Sequence, residues 1–191
     1  MGRRPLLDRA GVLDAALALA DESGLGAVTM HAVATRLGVT PMALYRHVGD
    51  KAALLDGLVE RLLGEVELPP VELTWADRLV AMARDLRRTG HRHPAVFPLL
   101  LARPAATDEA ARVRDAVLHT LAEMGMESEE VAQTERLVST AVLGFTVSEV
   151  SGRFRNHPQS VIDADFERLL TLLRGFVEPP SPGSGPAAQF G

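Results

Sequence analysis

The 191-residue sequence contains no cysteine, which excludes disulfides and thiolate metal centres. No apolar run reaches membrane-spanning length, so no membrane partner is expected. Arg3 and Arg4 are followed by no continuous apolar stretch. A signal peptide is therefore not expected there, and the expected compartment is the cytoplasm. No alternating polar–apolar run argues for a strand, and no internal repeat is found. Catalytic signatures are also missing: no Walker loop, no Gly-x-Ser-x-Gly elbow, no His-Glu-x-x-His. No enzymatic activity, cofactor or metal is expected. Lysine is nearly absent, with Lys51 alone among 20 basic residues, a bias that carries no functional weight.

What remains is 47% hydrophobic, enough for a buried core, with a formal net charge of −5. That charge is uneven. Residues 1–51 hold six basic and five acidic side chains (net +1), and residues 52–191 hold 14 and 20 (net −6). An acidic protein still binds nucleic acid if its cations gather on one surface.

The apolar spacing is helical nearly throughout, and the fold class expected is all-α. Asp8, Thr29, Thr40, Asp50 and Thr74 stand where helices would begin, and Gly24, Gly38 and Gly49 where they would end. Pro69 and Pro70 break the pattern, which places a boundary between domains of residues 1–66 and 67–177. Beyond it, helices are expected from Trp75 to about Thr89 and from Pro94 to about Leu101. Others should start at Thr107 and Asp108, run from about 129 to 154 with Ser128 as cap, and run from about 160 to 176. Residues 178–191 are rich in Pro, Gly and Ser and read as a disordered tail.

The most informative stretch is TMHAVATRLGVTPMALYRHV, residues 29–48. It reads as a helix, a tight Gly38-Val39-Thr40 turn and a second helix, the layout of a helix-turn-helix. Steps of about 100° put Leu44 and Val48 on one face and Met42, Tyr45 and Arg46 on the other. Ala34 is small where the helices would cross, and Val39 would plug the turn. A second helix of this kind enters the major groove, with its free N–H groups near a phosphate. The other reading is two packed helices whose outer face is merely decorated.

From about Val12 to Leu62 the sequence resembles the DNA-binding domain of the TetR family of transcriptional regulators. The likeness rests on DAALALADESGLGAVTM, VATRLGVTPMALYRHVGDKAALLDGL and above all LYRHVGDKAALL. Residues 74–104 and 124–149 are similar, more weakly, to the tetracycline-repressor branch. The resemblance implies a homodimer with an N-terminal three-helix DNA-binding domain and a C-terminal helical domain for ligand binding and dimerisation. It implies partners of three kinds: double-stranded operator DNA, an unknown small-molecule effector, and a second copy held through helices about 129–154 and 160–176. For that interface, Ser139, Gly144 and Ser148 would allow close approach, and Val142, Phe145 and Leu169 would supply apolar area.

Position by position, the DNA-contacting set implied is Thr29, His31, Thr40, Pro41, Met42, Ala43, Tyr45, Arg46, His47 and Lys51. His31 falls where the branch often has a base-contacting arginine, and Arg46 where it has an aromatic residue. This set is altered, so a tetracycline operator is not the expected target. The branch's metal–drug ligands fall on Glu67, Leu99 and Met82, which argues against a magnesium–tetracycline effector. Candidate pocket residues are Met82, Leu86, Phe97, Leu100, Leu121, Leu137 and Phe145, each equally readable as core. Glu149 is a further candidate, facing solvent or anchoring the pocket or dimer seam. His91 and His93 do not share a helical face and read as helix-end residues. The expected function is a ligand-responsive repressor released from its operator by a small molecule. The alternative is a small-molecule-binding or adaptor protein that keeps the helix-turn-helix as scaffold.

Overall fold

A computed structural model describes residues 7–103 and 108–177, and every described regular element in it is helical. In order these are α1 (Arg9–Ser23), α2 (Met30–Leu37), α3 (Pro41–Val48), α4 (Lys51–Gly64) and α5 (Trp75–Arg92). There follow α6 (Leu99–Ala102), α7 (Asp108–Ala122), α8 (Ser128–Val150) and α9 (Gln159–Val177). The expected tail at 178–191 and a start at Thr107 lie outside the described residues. No helix among the described residues is long and apolar enough to cross a membrane.

Helix starts follow from side chains that take up N–H groups the helix leaves unbonded. Asp8 accepts from the Gly11 N–H at 2.8 Å, Thr29 from Ala32 at 3.0 Å and Asp50 from Ala53 at 2.8 Å. Thr74 does the same for Asp77 at 3.2 Å. Two expected starts differ. Ser128 lies inside the first turn of α8, and the cap position falls to Glu127, whose side chain makes no cap bond. Pro94 opens turns rather than a helix, and α6 begins only at Leu99. The end of α8 also comes sooner than Phe154: Gly152 adopts a left-handed φ of 79°, which stops the helix after Val150.

The first core gathers α1, α2, α3 and α4. Val12, Leu13, Val33, Leu44, Leu54, Leu58 and Leu62 are each 1% exposed or less. This core is not confined to residues 1–66, because Val96 and Leu99 join it from beyond α5. His93 adds a polar link, with Nδ1 2.9 Å from Asp21 on α1 and Nε2 3.1 Å from Glu65 at the end of α4. Two further clusters hold the second half: Leu121, Val131 and Val177, and then Val142, Phe166 and Leu170.

One ionic cluster ties α5, α8 and α9 together. The Arg87 guanidinium donates to both Glu149 oxygens at 2.8 and 2.6 Å and to Asp163 at 2.6 Å. It also stacks 4.7 Å from the centre of the Phe166 ring. Gln159 donates to Glu149 and Asp163, and His91 Nε2 stands 3.0 Å from Glu149. The Glu149 side chain is only 5% exposed. Burial pushes its carboxyl up, but hydrogen bonds from Arg87 and Gln159 and the charges of His91 and Arg87 outweigh this. The group is held below the ordinary carboxylate range. Hydrogen bonds from Arg87 and Gln159 hold Asp163 below it as well.

A carboxylate with a lowered folded-state pKa adds stability above its unfolded value, about 4.3 for Glu. That stability disappears as the pH falls through the folded value. Glu149→Gln should therefore cost about 3 kcal/mol at pH 7. Its melting temperature should fall less steeply than the wild type's below about pH 4.3, as read by thermal denaturation across pH. Parallel acid limbs in the two proteins would refute this role for Glu149.

Candidate nucleic-acid interface and ligand cavity

The turn between α2 and α3 is built by backbone bonding. Gly38 takes φ 66°, the left-handed conformation in which a side chain is strained. Its N–H bonds to the Thr35 carbonyl at 3.1 Å, and the Val39 N–H reaches back to the Ala34 carbonyl at 3.0 Å. These two bonds close the end of α2. Val39 packs against the core, and Ala34, 1% exposed, lies inside it. The Thr40 hydroxyl makes no cap bond, unlike its counterpart at Thr29. Pro41 has no N–H to offer, and the Ala43 N–H is taken by the Thr40 carbonyl at 3.0 Å.

Leu44 is 0% exposed and Val48 5%, so α3 is pinned along one side. Its other side carries Met42, 72% exposed, Tyr45, 47% exposed, and Arg46. Thr29, His31, Thr40 and Lys51 are also exposed, while Pro41, Ala43 and His47 are half-buried.

The charge distribution in this part is uneven. The described cations of residues 7–66 are Arg9, Arg36, Arg46, Lys51 and Arg61. Arg9 pairs with Glu60, Arg36 with Glu22 and Arg61 with Asp14. Arg46 and Lys51 make no ion pair or side-chain hydrogen bond with any described residue. The two cations left over lie on α3, which also carries the exposed Tyr45, and at the start of α4. A surface with unspent positive charge beside a helix N-terminus suits phosphate.

A half-open cavity of about 190 Å³ lies between α4, α5, α6, α7 and α8. Leu63 and Val66 form its edge at the end of α4; Leu79, Met82, Ala83 and Leu86 line it from α5, and Leu100 from α6. Among the candidate pocket residues, Met82, Leu86 and Leu100 line it. The others lie elsewhere. Phe97 and Leu121 are wholly buried core. Leu137 is 57% exposed. Phe145 stacks on Phe154 and Phe166 at 5.3 and 5.4 Å. Glu149 belongs to the Arg87 cluster. The residues missed from sequence include Val113, Val117, Val138 and Leu143, ordinary apolar positions with no local mark. Its polar lining, Arg114, Glu135 and Ser139, was also missed.

The positions where the tetracycline-repressor branch binds a metal do not fit one here. Leu99 offers only carbon and is packed into the first core. Met82 offers a thioether, a poor ligand for a hard cation. Glu67 is exposed, and its N–H donates to Asp85 at 2.6 Å.

Gly38→Ala should destabilise the protein by about 1 kcal/mol through left-handed strain. A thermal melt would show a drop of a few degrees. An unchanged or raised melting temperature would mean that the turn relaxes and is not held as described.

Residues 12–58 match the family model for bacterial regulatory proteins of the tetR family. Residues 68–175 match that of the tetracyclin repressor-like C-terminal domain. The HTH-type transcriptional repressor DrrR1 of Streptomyces coeruleorubidus is 31% identical over 170 residues. The match covers 87% of this chain and 63% of that relative, so the chain spans less than two thirds of the relative's length. Mycobacterium smegmatis BioQ superposes with a TM-score of 0.78 at 26% identity, covering 90% of this chain and 98% of BioQ. A TetR variant from Acinetobacter baumannii, solved with minocycline, superposes with a TM-score of 0.77 at 28% identity, covering 89% and 96%.

Proposed function

Because the chain belongs to the TetR family of transcriptional regulators, we propose that it is a homodimeric repressor released from operator DNA by a small molecule. The observation that carries this reading is the pair of unspent cations, Arg46 and Lys51, beside exposed Tyr45 on a helix pinned by Leu44 and Val48. BioQ has been solved with its own double-stranded operator, which supports DNA as the partner. The minocycline complex supports a small-molecule effector. We assign DNA reading to residues 1–66, effector binding and dimerisation to residues 67–177, and the cytoplasm as the working compartment.

In this reading α3 lies in the major groove. Pro41, Met42 and Ala43 lead in, Tyr45, His47 and Lys51 hold the backbone, and Thr29 and His31 approach from α2. Arg46 pairs with a phosphate. The two copies of α3 must stand about 34–36 Å apart to meet successive grooves. The cavity gives the effector its lever. Leu63 and Val66 border it at the end of α4, and Lys51 sits at the start of the same helix. Arg112 on α7 donates to the Leu63 and Val66 carbonyls at 3.0 Å each, fastening that end. An effector that favours a different placement of α4 changes the α3 separation, and does so only by its preference for that state.

For dimerisation we propose α8 and α9, with a face different from the one the apolar spacing suggests. Val142 is 3% exposed within the protomer and Phe145 is engaged with Phe154 and Phe166, so neither is free to face a partner. Leu172 and Phe176, one turn apart on α9, are 60% and 59% exposed, and Leu137 on α8 is 57% exposed. Gly144 leaves its side of α8 open, with no described atom beyond its own helical neighbours within 4 Å of an added Cβ.

Replacing both Tyr45 and Lys51 with alanine should lower operator affinity by about 100-fold or more, since buried-core contacts are untouched. Stability should change by less than about 0.5 kcal/mol. A mobility shift on the promoter flanking the chain's own gene, repeated at rising salt, checks this. Lys51→Ala alone should reduce the salt slope by about one. No shift on any neighbouring promoter would favour a scaffold-only role. Separately, Leu172→Glu with Phe176→Glu should convert a dimer to a monomer by light scattering at micromolar concentration. A dimer that survives both changes would place the interface elsewhere.

A further inference from the structure

The cavity is apolar except at one place. Of its described lining side chains, only Arg114, Glu135 and Ser139 carry nitrogen or oxygen atoms, and none is aromatic. Glu135 is 8% exposed overall. A carboxylate removed from water this far is costly unless charge and hydrogen bonds compensate it. Here the compensation is slight. Ser139, one turn along α8, donates its hydroxyl at 3.0 Å. The Arg114 Nε stands 3.9 Å away, beyond the reach of a charge-assisted hydrogen bond. Its side chain is 60% exposed on α7, where solvent screens it. A carboxylate has about four lone-pair sites. In this case one is filled by a described hydrogen bond, and the group borders an otherwise apolar space.

We propose that the effector is a compact apolar molecule bearing one protonated amine, and that Glu135 receives that amine. The proposal rests on the reading of the second half as an effector domain. Size limits the apolar body. A cavity of about 150 Å³ accommodates benzene, and this one measures about 190 Å³, so the buried part is about one or two small rings. Charge sets the polar end. An ammonium supplies donors to the oxygens Ser139 leaves free and cancels the buried charge. A hydroxyl supplies one donor and cancels nothing. A carboxylate is repelled. Arg114, loosely held at the rim, is free to swing aside as the amine enters.

Three probes on one skeleton test this with the full chain: cyclohexylmethylamine, cyclohexylmethanol and cyclohexanecarboxylate, titrated by calorimetry at pH 7. The amine should bind at least tenfold more tightly than the alcohol, and the carboxylate should give no heat. E135Q should remove the amine's advantage and leave the alcohol's affinity within about twofold. Equal or tighter binding of the carboxylate overturns the proposal. So does an advantage that survives E135Q, or silence from all three probes. If E135Q fails to fold, the wild-type ranking of the probes decides alone. An operator mobility shift without probe separates the two readings. A chain that binds operator but ignores every probe loses the Glu135 assignment and keeps the regulator. One that binds the amine but no operator does the reverse.

Discussion

The wholly buried side chain of Leu44 is the constraint on which the N-terminal half depends. It fixes the rotation of α3. With Leu44 and Val48 turned inward, the 100° helical step leaves Met42, Tyr45 and Arg46 no choice but to face out. The packing of α2 beside α3 supports this further, since Ala34 is buried in the first core and Val39 packs against it from the turn. The helix needs only about two turns because its anchorage comes from these contacts and not from its own length.

Charge follows the same economy. Many described arginines are held by carboxylates of the same chain: Arg9, Arg36 and Arg61 within the first four helices, Arg84, Arg87 and Arg92 along α5. Among the described cations of residues 7–66, the two left unpaired, Arg46 and Lys51, lie on α3 and at the start of α4, so a net acidic chain still presents positive charge there. In the second half the polar groups serve two ends. Glu149 is fully engaged and holds α5, α8 and α9 together, whereas Glu135 keeps unspent capacity beside a cavity. Both are carboxylates on α8 withdrawn from solvent, and they differ in the number of donors around each.

The two halves are physically continuous. Val96 and Leu99 enter the first core, His93 bridges α1 and the end of α4, and Arg112 grips that same end from α7. Pro69 and Pro70 lie in the non-helical connection between α4 and α5, which does not divide the packing. The cavity itself is lined in part by Leu63 of α4 and by Val66 just beyond it.

Much of the local structure is determined by the sequence alone. Asp8, Thr29, Asp50 and Thr74 mark helix starts, and Gly24, Gly38 and Gly49 mark ends, because caps and left-handed turns are short-range chemistry. The outward face of α3 is determined the same way, since periodicity alone separates two sides of a helix. Which apolar residues line a space was decided only by the tertiary structure. Phe97, Leu121 and Leu86 carry the same local pattern, yet two are core and one borders the cavity. Periodicity says that a side chain points inward; whether it meets another side chain or a gap depends on helices distant in sequence. The partners of Glu149 on α5 and α9 and the Arg114 neighbour of Glu135 on α7 were decided there too, since no spacing within α8 encodes them; only the Ser139 bond to Glu135 follows from the helical step.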